Sequence, residues 1–185
     1  MERLILCGGG HVSLEVAHIA RRLEFELVII DDRPEFASRE RFPMAGQVVC
    51  APFPEALDAL GSRESDYYVI LTRGHAHDRD CLEHVLRGKY AYAGMIGSRT
   101  KVAAVKAALE AAGIARKILD GVHSPIGLSN GAQTPAEIAV SIAAQIVQVF
   151  RASPSQSGLE RPVEEGLRQL KGPAVLATVL EKSGS

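Results

Sequence analysis

Three consecutive glycines, residues 8–10, follow a short apolar run near the start of the chain and could bind an anion. The order Gly-Gly-Gly-His-Val-Ser resembles a dinucleotide-binding fingerprint in which Ser13 replaces the third glycine. Gly8 would make the tight turn and Gly10 would let the backbone approach a pyrophosphate. The helix that follows would point its free N–H groups at this anion. The alternative is a glycine-rich turn that binds nothing.

A second apolar run, Glu26–Asp31, ends on an acid about 20 residues beyond the glycines, where dinucleotide-binding folds place a carboxylate against a ribose. Asp31 favours an unphosphorylated ribose, whereas the adjacent Arg33 would suit a 2′-phosphate, and both interpretations stay open. The alternative is that these residues form only a polar exit from the strand.

Two later apolar runs also end in polar residues. A strand over 66–72 runs into the polar segment 73–78, and a helix is predicted from Arg79 to Arg87. A strand over 91–97 precedes a second set of basic residues, with a helix predicted over 102–112. Because the carboxyl ends of parallel strands meet at one edge of a sheet, both polar segments are expected near the glycines.

Two histidines and an acid in the first of these segments raise the question of a metal. His75, His77 and Asp78 are suitable ligands for zinc or iron. No further ligand follows at a recognisable spacing, so contact with a substrate or cofactor is the preferred interpretation, and no metal site is predicted.

The elements that must position these residues alternate between strand and helix. A helix over 12–23 shows an apolar face that includes Leu23, and a short strand over 47–50 precedes a helix over 54–60. A last helix begins with Thr134 as N-cap and Glu137 as capping-box acid, and continues to about residue 150. This order predicts an α/β fold, a Rossmann-like doubly wound parallel sheet with helices on both faces.

The composition limits the class of protein. The 185 residues are 46% hydrophobic and 23% charged with a formal net charge of −1, which suits a folded core and offers no basic stripe for nucleic acid. No long apolar span or leader is visible, so we expect a soluble, cytoplasmic protein with no membrane contact. Three separated cysteines without a CxxC pair agree with a reducing compartment.

The chain changes character near its end. Residues 1–150 are predicted to form one Rossmann-like domain, and residues 151–173 a polar linker with a short helix. The apolar run within 174–185 resembles the start of a truncated second domain, which suggests a fragment of a longer protein.

Several segments together resemble the C-terminal Rossmann domain of the XdhC/CoxI family, maturation factors for molybdenum-cofactor enzymes such as xanthine dehydrogenase. These segments are residues 8–12, 31–36, 41–43, 71–75 with Asp78, 94–99 with Lys101, 123–128 and 134–142. One departure is Gln133, which stands where the family carries an acid.

The resemblance implies a non-catalytic role, in which the protein holds molybdenum cofactor (molybdopterin), assists its sulfuration and delivers it. The implied partners are a molybdenum hydroxylase such as xanthine dehydrogenase and a sulfurtransferase. A homodimer is expected separately, because the last helix is apolar over a wide arc. The implied ligand contacts are Gly8, Gly10, His11, Asp31, Arg33, Arg73, His75, Ser98, Arg99, Lys101, His123 and Ser124. The alternatives are an NAD(P)-dependent oxidoreductase that acts through His75 or His123, and a nucleotide-sensing domain.

Overall fold

The computed structural model describes residues 2–23 and 25–152, apart from the side chain of His75. The predicted linker from residue 153 onward and the predicted second-domain segment 174–185 lie outside the described residues. Met1–Phe150 form one compact unit.

Parallel strands alternate with helices along this unit, as the sequence predicts. The strands are β1 Arg3–Cys7, β2 Glu26–Asp31, β3 Gln47–Cys50, β4 Tyr67–Ile70 and β5 Tyr92–Met95. The helices are α1 His11–Ala20, which a 3₁₀ turn Arg21–Leu23 extends, α2 Phe53–Leu60, α3 His75–Arg87, α4 Arg99–Ala111, α5 Arg116–Asp120 and α6 Pro135–Ala152.

The five strands form one parallel sheet in the order β3-β2-β1-β4-β5. Cys7 at the end of β1 pairs with Ile30 of β2 on one side and with Ile70 of β4 on the other. The chain therefore reverses its winding direction between β1 and β4, which is where ligands bind in such sheets. The predicted Rossmann-like, doubly wound sheet is confirmed.

Helices cover both faces of the sheet. Successive side chains of a strand point to opposite faces, so the apolar strands make both faces apolar and both must be covered. Leu4 and Leu6 of β1 are buried against α1 and α6. Ile5 and Cys7 face the opposite way, into the core formed with α2, α3 and α4. All four side chains are almost fully buried, so the two cores hold β1 rigidly at the centre of the sheet.

The helices differ from the sequence predictions in three details. Helices α3 and α4 begin at His75 and Arg99, about one turn earlier than expected, because their polar first turns show no apolar periodicity. Helix α5 was not predicted, since its five residues are too short to show a period. Leu23, which was expected on the apolar face of α1, lies in the 3₁₀ turn and is 37% exposed.

The start of α6 has the predicted capping box. The N–H of Glu137 donates to Thr134 Oγ1 at 3.3 Å, and Glu137 Oε2 accepts from the N–H of Thr134 at 3.0 Å. These bonds satisfy N–H groups that the first turn of a helix otherwise leaves free.

Candidate functional site

The turn of residues 8–10, here called the glycine turn, joins β1 to α1 at the carboxyl edge of the sheet. Gly8 has φ +110°, and a Cβ there would come within 2.5 Å of the carbonyl oxygen of Leu71, just after β4. Only glycine fits this position, because a side chain would be both strained and blocked. The glycine turn can therefore lie against Leu71, where the chain leaves β4.

Gly10 is different, because it faces open space. It is the N-cap of α1, with φ −69° and ψ −171°, and a Cβ built on it would meet no atom within 4 Å. No side chain caps the helix, and its first turn contains no acid. The first N–H groups of α1 and the positive end of its dipole are thus available to an anion.

Asp31 holds the glycine turn in place. It is 1% exposed, and its Oδ2 accepts from the N–H of Gly9 at 2.8 Å and from Arg33 Nη2 at 3.0 Å. Its Oδ1 accepts from the N–H of Arg33 at 3.0 Å and from Arg33 Nε at 2.9 Å. Burial raises the pKa of Asp31, but the hydrogen bonds from Arg33 and from the N–H of Gly9 outweigh it and leave the pKa below its ordinary value.

Arg41 is a second support of the glycine turn, and the sequence analysis did not place it in the site. Its Nε donates to the carbonyl oxygen of Gly9 at 2.8 Å. Phe36 lies beneath two guanidinium groups, with its ring centroid 3.6 Å from Cζ of Arg33 and 5.2 Å from Cζ of Arg41. The only signal in the sequence was the place of Arg41 in a segment shared with the XdhC/CoxI family.

A buried ion pair links the turns after β4 and β5. Asp78 in the first turn of α3 is fully buried, and its Oδ1 accepts from Thr72 Oγ1 at 2.6 Å. The ammonium of Lys101, at the start of α4, pairs with the other oxygen of Asp78. The stem of Lys101 lies against Gly97, where a Cβ would come within 2.9 Å of Lys101 Cδ. The side chain of Lys101 remains 17% exposed, so its ammonium lies near the surface.

Ser98 has the N-cap role that its position suggests. Its Oγ accepts from the N–H of Lys101 at 3.2 Å and caps α4. This bond fixes the first turn of α4, and with it the backbone from which Lys101 reaches Asp78.

The described candidates for a metal site after β4 are His77 and Asp78, and the side chain of His75, the third, lies outside what the structure describes. His77 packs on the ring of Phe53, with 5.5 Å between ring centroids, and Asp78 is engaged by Thr72 and Lys101. No group of three or more histidines, cysteines or acids among residues 2–23 and 25–152 could hold a metal ion.

His123, Ser124 and Arg99 lie beside β5 and not at the glycine turn. The ring of His123 stacks on Tyr92, with 4.8 Å between centroids, and its backbone bridges to Gly94 of β5. Burial and the nearby Lys106 lower the pKa of His123. Ser124 and Arg99 line a groove of about 500 Å³ along α4.

Three predicted contacts remain, His11, Arg73 and His75, and the side chain of His75 lies outside what the structure describes. His11 begins α1 and Arg73 precedes α3; both are exposed, and neither side chain makes a hydrogen bond or an ion pair with another described residue. The structure thus joins Asp31 and Arg33 with Gly9 of the glycine turn in one contact network, and Ser98 and Lys101 in a neighbouring one. None of the helices in the described part of the chain has the length and apolar character needed to cross a membrane.

Comparison with known proteins agrees with this architecture. The chain is 34% identical to the uncharacterized protein YqeB of Escherichia coli over 153 residues, covering 82% of this chain and 28% of that protein. It is 31% identical to a Bacillus subtilis protein named as a probable xanthine dehydrogenase subunit, covering 79% of this chain and 42% of the other.

A crystal structure described as a xanthine dehydrogenase from Bacillus halodurans superposes with a TM-score of 0.75 at 30% identity. The match covers 84% of this chain and 45% of that one, so the chain spans less than half of each of these three proteins. Residues 4–146 match the family model described as the XdhC Rossmann domain. The chain is therefore a member of the XdhC Rossmann-domain family.

Proposed function

We propose that this chain is the cofactor-handling domain of a maturation factor for molybdenum-cofactor enzymes of the xanthine dehydrogenase type. It holds molybdenum cofactor, or a nucleotide form of it, in the crevice between β1 and β4 and assists its sulfuration and insertion. Membership of the XdhC Rossmann-domain family supports this role, as do the names of the Bacillus proteins.

The observation that carries the proposal is the uncapped start of α1 at Gly10. Molybdopterin ends in a phosphate and its nucleotide forms contain a pyrophosphate, so both bring an anion to the crevice. The open space at Gly10 and the absence of an acid in the first turn of α1 fit such a group. When bound, the cofactor would supply the metal chemistry of the client enzyme.

Different residues of the chain contribute to holding this ligand. The N–H groups that follow Gly10 bind the phosphate, and Lys101, through its ion pair with Asp78, fixes the neighbouring turn. The remaining predicted contacts, including Arg73, Arg99 and His123, stay predictions about the wider crevice. Two buried acids beside the crevice are already engaged, Asp31 by Arg33 and Gly9, Asp78 by Thr72 and Lys101, which favours binding over proton transfer.

The partners follow from the same role. The client is a molybdenum hydroxylase such as xanthine dehydrogenase, and a sulfurtransferase supplies the sulfur. The proposed homodimer would use α6, on which Val140 is 55% exposed and Val147 is 38% exposed. Exposed apolar side chains on one helix face are typical of a contact surface.

The test compares binding, delivery and turnover with the 185-residue chain. We expect molybdenum cofactor to bind the chain, and the loaded chain to activate client apo-enzyme faster than free cofactor does. Incubation with NAD or NADP and a small alcohol or acid should give no reduced nicotinamide. Steady hydride transfer, or the lack of any binding of molybdenum cofactor, would contradict the proposal and favour the oxidoreductase.

A further inference from the structure

Asp31 has no acceptor capacity left for a ligand. A carboxylate has about four lone-pair positions. The N–H of Gly9, the N–H of Arg33, and Arg33 Nε and Nη2 donate four hydrogen bonds to it, all between 2.8 and 3.0 Å. A ribose hydroxyl could reach Asp31 only by breaking a bond that holds the glycine turn or Arg33.

Asp32, the next residue, is in the opposite situation. Its side chain is 27% exposed, and it accepts no hydrogen bond from any residue that the structure describes. Among the described residues its ion-pair partner is Arg33, with Nε 3.8 Å from Asp32 Oδ1, and that N–H is already donated to Asp31 at 2.9 Å. Both oxygens of Asp32 can therefore accept hydrogen bonds from a ligand.

The surroundings of Asp32 fit one end of a nucleotide-like molecule. The Cζ of Arg33, beside Asp32, lies 3.6 Å from the ring centroid of Phe36, and the Arg33 side chain is 21% exposed; such a cation next to an aromatic ring suits a planar heterocycle. Asp31, which precedes Asp32 in the chain, accepts a hydrogen bond from the N–H of Gly9, so Asp32 lies next to a residue that contacts the glycine turn. An anion at Gly10 and a donor-bearing group at Asp32 would thus belong to one ligand.

We infer that Asp32, and not Asp31, is the residue that accepts hydrogen bonds from the bound cofactor. The ligand group is one with paired O–H or N–H donors, either the vicinal diol of a ribose or the amino edge of a pterin. Asp31 instead fixes the glycine turn. This inference rests on the proposed function, because it concerns the ligand held at Gly10.

The test uses two acid-to-amide variants with opposite expected effects, and three probes in titration calorimetry. The probes are adenosine diphosphate, its 2′-deoxy form and molybdopterin. Asp32→Asn should weaken at least one probe about ten- to hundredfold, the usual scale for hydrogen bonds to a charged group, and leave the melting temperature unchanged. Asp31→Asn should lower the melting temperature. Asp80→Asn, another exposed acid paired with the preceding arginine at 2.8 Å, is the matched control and should change neither.

The pattern across probes identifies the donor. A loss with adenosine diphosphate but not with its deoxy form assigns a ribose diol to Asp32, and a loss with molybdopterin alone assigns the pterin edge. The inference is overturned if Asp32→Asn binds every probe like wild type, or if no probe binds wild type. If wild type binds molybdopterin and Asp32→Asn binds all three probes equally well, the inference is overturned while the proposed function stands. If wild type binds adenosine diphosphate through its diol but does not bind molybdopterin, the inference stands and the proposed function is overturned.

Discussion

Replacing Gly10 by aspartate should stabilise the protein while it weakens anion binding. Gly10 has the extended backbone of an N-cap, and its missing side chain would project into open space. An aspartate there can accept a hydrogen bond from the N–H of Val12 or Ser13 and meets the positive end of the α1 dipole. The same carboxylate would then occupy the place of the ligand's phosphate.

The stability gain can be estimated from three small contributions. Aspartate is a better N-cap than glycine by a few tenths of a kcal/mol, and its charge near the dipole adds about 0.3–1 kcal/mol. Loss of glycine's freedom in the unfolded chain adds about 0.4–1 kcal/mol. We expect a net gain of about 1–2 kcal/mol, which raises the melting temperature by about 2–8 °C for a chain of this size.

The assay pairs thermal unfolding with calorimetric titration of adenosine diphosphate and molybdopterin. Gly10→Asp should lose at least about tenfold in affinity, since the N–H groups are occupied and the charges repel. Gly10→Asn should gain similar capping with a smaller loss of affinity, and Gly10→Ala, which adds neither a cap nor a charge, should lose the least. Wild-type affinity in Gly10→Asp, or a lower melting temperature, would refute the account of this turn.

Three further predictions concern stability. Lys101→Met should cost about 3 kcal/mol in urea unfolding, because it leaves the buried carboxylate of Asp78 without its cation; a loss no larger than that of Arg87→Met, in an exposed helix pair, would contradict this. Ser13→Ala should be neutral or stabilising by up to about 1 kcal/mol in the same assay, since Ser13 Oγ is buried without a hydrogen-bond partner among the described residues. A clear destabilisation would contradict this and show that Ser13 Oγ makes a hydrogen bond in solution. The pKa of His123 is lowered in the folded protein, so the unfolded chain takes up the proton first and the free energy of unfolding should fall as pH drops below about 6.5. His123→Phe should flatten this pH dependence. An unchanged pH profile in the variant would exclude His123 as its source.

The sequence predicts the frame of the site well because strands and turns are local. Apolar runs locate all five strands, and the spacing from Gly8 to Asp31 predicts two adjacent strand ends at one edge of the sheet. The capping box of α6 is also visible, because Thr134 and Glu137 lie within one turn. Each of these features depends on residues close in the chain or on a well-known topology.

The contacts inside the site could not be predicted in the same way. The bond from Arg41 to Gly9 and the ion pair of Lys101 with Asp78 join residues far apart in sequence. Such contacts depend on the order of the strands and on where each helix begins. The hydrogen-bond partners of Asp31 could not be predicted either. Its position in the sequence suggests a ligand contact, but its carboxylate accepts hydrogen bonds from Gly9 and Arg33 instead.

The central claim, that α1 and the glycine turn bind the cofactor's phosphate, is tested most directly by a crystal structure of the chain with molybdopterin. The account predicts the phosphate within hydrogen-bonding distance of the N–H groups of His11 and Val12, above Gly10. A ligand bound instead in the groove along α4, with its phosphate at Arg99 or Lys106, would contradict the claim.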